Sequence, residues 1–200
     1  GIFVVFPILA FIAASLGRSE KPGRGWISLF GQTANLSALF PLLFALYMAA
    51  VPGYGYRFGL LFGFLFLLAA GLFAIATARG PEMLHFTGSA STILIFAIWL
   101  GSSYESDAWP EILGFIVLFA LFYLAAPFIA RRFGRTFSGT GTKAVYAAPL
   151  LLFTLPCLAV LEPACAAPGL LFGTLFLILL GVSAYALYAE KGVLYYIAAV

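Results

Sequence analysis

Residues 58–78 read Phe58-Gly-Leu-Leu-Phe-Gly-Phe-Leu-Phe-Leu-Leu-Ala-Ala-Gly-Leu-Phe-Ala-Ile-Ala-Thr-Ala78, a stretch without a charged residue. Folded in water, it would leave an apolar face solvated whichever way it turned. A strand that crosses a bilayer alternates apolar and polar side chains, and Leu60 to Ala76 does not alternate. A helix needs roughly 20 mostly apolar residues to cross hydrocarbon. It also satisfies its own backbone there, where no water can. The stretch therefore predicts a membrane-spanning helix.

The same signature recurs on both sides. Apolar runs occupy Ile2–Leu16, Asn35–Val51, Met83–Leu100, Ile112–Ala130, Ala144–Leu161, Gly169–Ala189 and Val193–Val200. With Phe58–Ala78 they predict an all-α membrane protein of about eight transmembrane helices, by the length rule above. Composition agrees: 64% of the 200 residues are hydrophobic and 8% charged, too few polar groups to skin a soluble globule. The links are short and rich in Gly, Pro and Ser, as in Arg18–Gly25, Pro52–Arg57, Gly101–Pro110 and Glu162–Pro168. Short links make successive helices antiparallel neighbours, and 1–200 reads as a single polytopic membrane domain. The chain opens at Gly1 without Met and ends inside an apolar run at Val200. It thus reads as a segment of a longer polypeptide, the rest of which is an expected partner. Gly1 to Leu16 shows neither the basic region nor the cleavage site of a signal peptide.

Basic residues set the orientation. The loops after the first, third, fifth and seventh runs carry Arg18, Lys21, Arg24, Arg79, Arg131, Arg132, Arg135, Lys143 and Lys191, whereas the other loops carry only Arg57. Positive loops stay in the cytoplasm, so the expected address is a multi-pass position in a bacterial inner membrane with those four loops cytoplasmic. Trp99 and Trp109 bracket an outer loop, where interfacial indoles are expected. The net charge of +3 comes from scattered bases with no basic stripe, which argues against nucleic-acid binding. Membrane lipids and other membrane subunits are the expected partners.

An internal repeat is the most specific signal. Gly59-Leu-Leu-Phe-Gly63-Phe-Leu-Phe-Leu67 returns 110 residues later as Gly169-Leu-Leu-Phe-Gly173-Thr-Leu-Phe-Leu177, and Gly71, Ala74, Ala76 and Leu84 match Gly181, Ala184, Ala186 and Leu194. Phe3, Val5, Ala13 and Ala14 recur as Phe115, Val117, Ala125 and Ala126. These matches predict two tandem parallel four-helix repeats, about 1–110 and about 111–200. An even number of spans per copy makes both copies face the same way. Gly59, Gly63 and Gly71, with Gly169, Gly173 and Gly181, are then candidate helix-packing positions, because small residues let backbones approach.

Side chains that carry chemistry are scarce. His85 lies near the cytoplasmic end of its run and reads as an interfacial, hydrogen-bonded histidine. Arg57 is a candidate contact for an anion or a lipid headgroup, since a guanidinium forks onto phosphate oxygens. Glu105, Asp107 and Glu111 form a small acidic patch that reads as a solvated loop. Cys157 and Cys165 flank the outer end of the sixth run and are a candidate disulfide; left unpaired, Cys157 reads as a buried small residue. The spacing of cysteines and acids matches no metal-site pattern. No catalytic, cofactor-binding or metal-ligating residue is expected, and no cofactor.

Two phrases, Ala-Thr-Ala-Arg79-Gly-Pro and Thr92-Ile-Leu-Ile-Phe-Ala-Ile-Trp99-Leu, carry a resemblance. The stretch 60–100 resembles a bacterial family of large membrane proteins, domain of unknown function 2339. The resemblance implies repeated helices behind an N-terminal coiled coil, and it implies no catalytic residue. The link Arg79-Gly-Pro-Glu82 departs from the Arg-Trp-rich link usual there.

Three activities fit the sequence. A structural or envelope-associated membrane module is favoured by the absence of buried charge and of polar helix faces. A transporter or channel for a small solute or lipid is favoured by the parallel repeat and by Pro7, Pro41, Pro127, Pro149 and Pro156. A membrane enzyme acting on a lipid-linked substrate would use Arg57 and the outer acids.

Overall fold

The computed structural model describes residues 39–78, 80–162 and 168–189. The runs 2–16 and 193–200 lie outside the described residues, as do Arg18, Lys21, Arg24, Trp26, Arg79, Cys165, Lys191 and Leu194.

Everything regular among the described residues is helical. In chain order these are α1 (Leu39–Ala50), the single turn α2 (Pro52–Gly55), α3 (Phe58–Thr77) and α4 (Met83–Ser102). A 3-10 turn at Ser106–Ala108 leads into α5 (Trp109–Arg132). Then follow α6 (Thr140–Lys143), α7 (Ala147–Leu152), α8 (Thr154–Leu161) and α9 (Pro168–Ala189). Five elements are long and apolar enough to cross a membrane: α3, α4, α5, residues 140–161 taken together, and α9. The chain is an all-helical membrane protein of the multi-pass kind.

Helices α4 and α5 share the centre. α4 packs along α3 on one side and against α6 to α8 on another, and α5 packs against α3, α7 and α9. Aromatic rings fill the space between α3, α4 and α5. Phe62 stacks on Phe96 with centroids 4.2 Å apart and meets Trp99 and Phe115 at 5.3 and 5.5 Å. Phe119 meets Phe96 and Phe66 at 5.6 Å each. Phe122 then joins Phe66 to Phe73. Edge-to-face pairs of this kind satisfy the ring quadrupoles and add about 0.5–1.5 kcal/mol each beyond burial.

Residues 140–161 do not form one continuous helix. Pro149 and Pro156 each lack the N–H that a carbonyl four residues earlier requires. The ladder is interrupted at Phe153, whose N–H turns to Leu150 O at 3.2 Å. Thr154 Oγ1 donates to Leu151 O in the same turn. By contrast Pro127 lies inside the unbroken α5, and Pro41 sits in the first turn of α1.

The end of the bundle that carries Trp99 is fixed by polar bonds to bare backbone. Pro52 and the turn α2 interrupt the ladder that α1 begins, and Ala49 O becomes an acceptor for Ser102 Oγ at 2.9 Å and Ser103 Oγ at 2.8 Å. Trp99 Nε1 donates to Gly55 O at 2.8 Å. The indole is fully buried, so Trp99 turns toward the protein interior. Trp109 is half-buried at the start of α5.

The two stretches paired by the repeat are both helical, α3 and α9. Their inward sides coincide at Leu68 and Ile178, Leu72 and Val182, and Ala76 and Ala186, all buried. They part at Phe62, fully buried, and its counterpart Phe172, 61% exposed. Phe62 has Phe96, Trp99 and Phe115 to lie against.

A β-carbon on Gly55 would collide with the Ser103 side chain. Gly55→Ala is expected to lower thermal stability in detergent by about 1–3 kcal/mol, as overpacking does. Adding Ser103→Gly should recover part of the loss, because residues in contact couple. A Gly55→Ala protein as stable as the parent would show that this junction carries no strain.

Candidate functional site

The inward face of α4 is a stripe of Leu84, His85, Gly88, Ser89, Thr92, Ile95, Phe96, Trp99 and Leu100, all buried. The stripe is polar at His85, Ser89 and Thr92, three of its nine positions, which the sequence reading missed. Its hydroxyls are satisfied locally. Ser89 Oγ donates to Phe86 O at 2.8 Å, Thr92 Oγ1 donates to Gly88 O at 2.9 Å, and Thr92 Oγ1 shares a 2.8 Å hydrogen bond with Tyr123 OH on α5. Gly88 is the glycine at the closest approach of α3 and α4: a β-carbon there would lie 3.3 Å from Leu72 Cδ1 and 3.8 Å from Ala69 Cα. The spacing His85, Ser89, Thr92, Trp99 follows one helical face and was the available signal.

His85 sits near the end of α4 but inside the protein, 1% exposed. Four rings surround it: Phe73 at 5.1 Å, Phe137 at 5.4 Å, Tyr123 at 5.7 Å and Phe122 at 6.3 Å between centroids. Nε2 is buried with no hydrogen-bond partner among the described residues. The expected surface histidine is therefore a buried one, because the loop after α5 folds back and lays Phe137 over it. A sealed imidazole has no access to substrate, and the described residues hold no group of three or more metal-ligating side chains.

Glu82, one turn before His85, holds that loop in place. Its carboxylate accepts Ser138 N–H at 3.0 and 3.1 Å and Gly141 N–H at 3.3 Å. The loop leaves α5 through a tight cap. Gly134 adopts φ of 73°, a left-handed conformation that costs glycine nothing. Gly134 N–H then bonds Arg131 O, and Arg135 N–H bonds Ala130 O, each at 2.9 Å, the paired bonds of a Schellman cap.

This cap aims Arg135 at a cavity of about 730 Å³ whose walls include Phe73, Ala74, Thr77, Phe133 and Arg135. One guanidinium N–H, on Nη2, reaches Gly80 O at 3.2 Å. Thr77 Oγ1 is buried without a hydrogen-bond partner among the described residues. Phe73 forms the partition between this cavity and the ring box around His85.

The residues singled out from sequence do not converge on this end. Arg57 is exposed at the opposite end, where its Nε donates to Tyr56 OH at 3.0 Å and its guanidinium lies 5.5 Å from the Tyr56 ring. Glu105 and Glu111 are exposed. Cys157 is exposed, not buried, and has no cysteine partner among the described residues; its candidate partner Cys165 lies outside them. Of the six repeat glycines only Gly181 has a described neighbour: a β-carbon there would lie 3.0 Å from Leu124 Cδ1, whereas Gly59, Gly63, Gly71, Gly169 and Gly173 have none within 4 Å.

His85 is expected to act through packing. His85→Phe removes an unpartnered polar atom from an apolar box and should raise stability by about 1 kcal/mol. His85→Ala leaves a cavity and should lower it by about 2–4 kcal/mol. Thermal unfolding followed by intrinsic fluorescence separates the two, and equal losses would mean that the imidazole nitrogens hold a bond that phenylalanine cannot replace. Comparison of the chain with family models, with curated proteins and with solved structures finds no match.

Proposed function

We propose that this chain is a structural, envelope-associated module of a bacterial inner membrane, working as part of a longer polypeptide and alongside other membrane subunits. One observation carries the reading: the interior between α3, α4 and α5 is filled by interlocking rings. Trp99, Phe62, Phe96, Phe119 and Tyr123 are each fully buried. A solute path needs a hydrated or convertible interior, and intramembrane ionisable groups that serve one pair up or face water. Here the buried hydroxyls of Ser89 and Thr92 turn back onto their own helix, so they fix packing. The stretch 60–100 that resembles domain of unknown function 2339 supplies α3 and α4, and membership of that family is part of the proposal.

A transporter is the second reading, and the interruption at Phe153 favours it. Broken spans commonly line the sites of secondary transporters, because they bare backbone groups at mid-membrane depth. Stopped-flow swelling and ion-flux assays on proteoliposomes decide between the two. Rates equal to those of protein-free vesicles are expected, and a solute-dependent flux reduced by Phe153→Ala would establish transport instead.

Orientation follows from the nine-to-one division of bases between the two sides. In intact cells, a cysteine at Ser138 should resist an impermeant maleimide and one at Ser106 should react. Both reacting from the same side would overturn the proposed topology.

A further inference from the structure

We propose that the cavity at the Arg135 end binds a phosphate-bearing lipid, with Arg135 on the phosphate and the hydrocarbon against Phe73, Ala74 and Phe133. Its volume of about 730 Å³ falls in the range of roughly 300–1,000 Å³ typical of small-molecule sites. That is room for a headgroup and the first part of its chains, the remainder lying in the bilayer. The walls are apolar except at Thr77 and Arg135, and Arg135 is the ionisable side chain among the described lining residues.

The C-terminal ends of α3 and α5 both reach the cavity and each carries roughly half a negative charge, so an anion is admitted there only through the basic side chains that offset them. Arg135 offsets the α3 end through its bond to Gly80 O. A guanidinium has five N–H donors, so this bond leaves several free for an anion. Glu82, the acid at this end among the described residues, has its carboxylate occupied by Ser138 and Gly141 N–H groups. Arg131, Arg132 and Lys143 add three positive charges nearby in the sequence; Arg131 is turned to Tyr188 OH at 2.6 Å, and among the described residues Arg135 is the base that lines the cavity. An anion with an apolar tail meets both halves of this lining, and the membrane supplies phospholipid in quantity. The alternative, in which Arg135 only neutralises helix ends, predicts no dependence on the cavity's apolar wall.

The test uses the purified full chain, with native mass spectrometry and a titration in detergent. The probes are phosphatidylglycerol, diacylglycerol and inorganic phosphate. Phosphatidylglycerol should bind, diacylglycerol should not, and millimolar phosphate should neither bind nor displace the lipid. Arg135→Gln should weaken phosphatidylglycerol binding roughly tenfold, as loss of a charge-assisted contact does. Arg132→Gln, exposed at the same end, should leave it unchanged. Ala74→Phe puts a ring into the cavity where the lipid chain would lie while sparing the Arg135–Gly80 bond, and should abolish binding at unchanged melting temperature. It keeps the proposal testable if Arg135→Gln does not fold. Equal weakening by Arg132→Gln and Arg135→Gln, undiminished binding to Ala74→Phe, equal retention of diacylglycerol, or capture of inorganic phosphate in place of lipid would each overturn it.

Discussion

A carbonyl in hydrocarbon has no water to turn to, and each break in a helix frees one. The described structure depends on where those groups are satisfied, and α4 satisfies them on several sides. The hydroxyls of Ser102 at its end and of Ser103 just beyond it take Ala49 O, and its indole takes Gly55 O. Its Thr92 meets Tyr123 of α5. Bonds of this type in bilayers contribute about 0.6–2 kcal/mol each. Their larger effect is on register, since an unsatisfied carbonyl in hydrocarbon costs several kcal/mol. Sliding α4 against α1 would break Trp99, Ser102 and Ser103 from their acceptors together.

The spans themselves were legible because length and hydropathy are one-dimensional. The runs Phe58–Ala78, Met83–Leu100 and Gly169–Ala189 come within two residues of α3, α4 and α9. Ile112–Ala130 falls short of α5 at both ends because a helix continues into the interface with Trp109, Glu111 and Arg132, which a hydropathy reading excludes. The break at Phe153 was half legible, in Pro149 and Pro156. Which face of each helix turns inward was not. Leu60 and Leu67 are exposed while Leu61 and Leu65 are buried, and no difference in side-chain chemistry marks them apart. In water, polarity labels the outer face of a helix; in lipid that label disappears, and packing alone decides.

The misread residues share that cause. The usual habit of indoles sets Trp99 toward headgroups, but an N–H with a buried acceptor can turn inward, and Gly55 O supplies the acceptor. His85 lies near the end of α4, as its position in the run implies, but on the inward face: the chain that covers it, through Phe137, arrives 52 residues later. Gly88 and Gly55, the glycines at which α4 meets α3 and α2, stand alone in the sequence, while the glycines that repeat so visibly have open space at five of six positions among the described residues. A glycine pair advertises a bare strip of backbone, but it does not say whether anything lies against it.

The two ends of α4 are held by different physics, and this bears on where the protein can change. At the Trp99 end the bonds run from side chains to backbone across adjacent helices and are sealed by Phe58 and Phe62. At the other end the loop over His85 is held by one carboxylate, one guanidinium and one ring: Glu82, Arg135 and Phe137. The loop itself is irregular from Arg135 to Ser138, and Ser138 and Phe133 are exposed. Elements with exposed hydrogen bonds and few buried apolar contacts open at the lowest free energy. The Trp99 end, with its bonds buried between helices, lies at the stable end of that range, and the loop over His85 at the other.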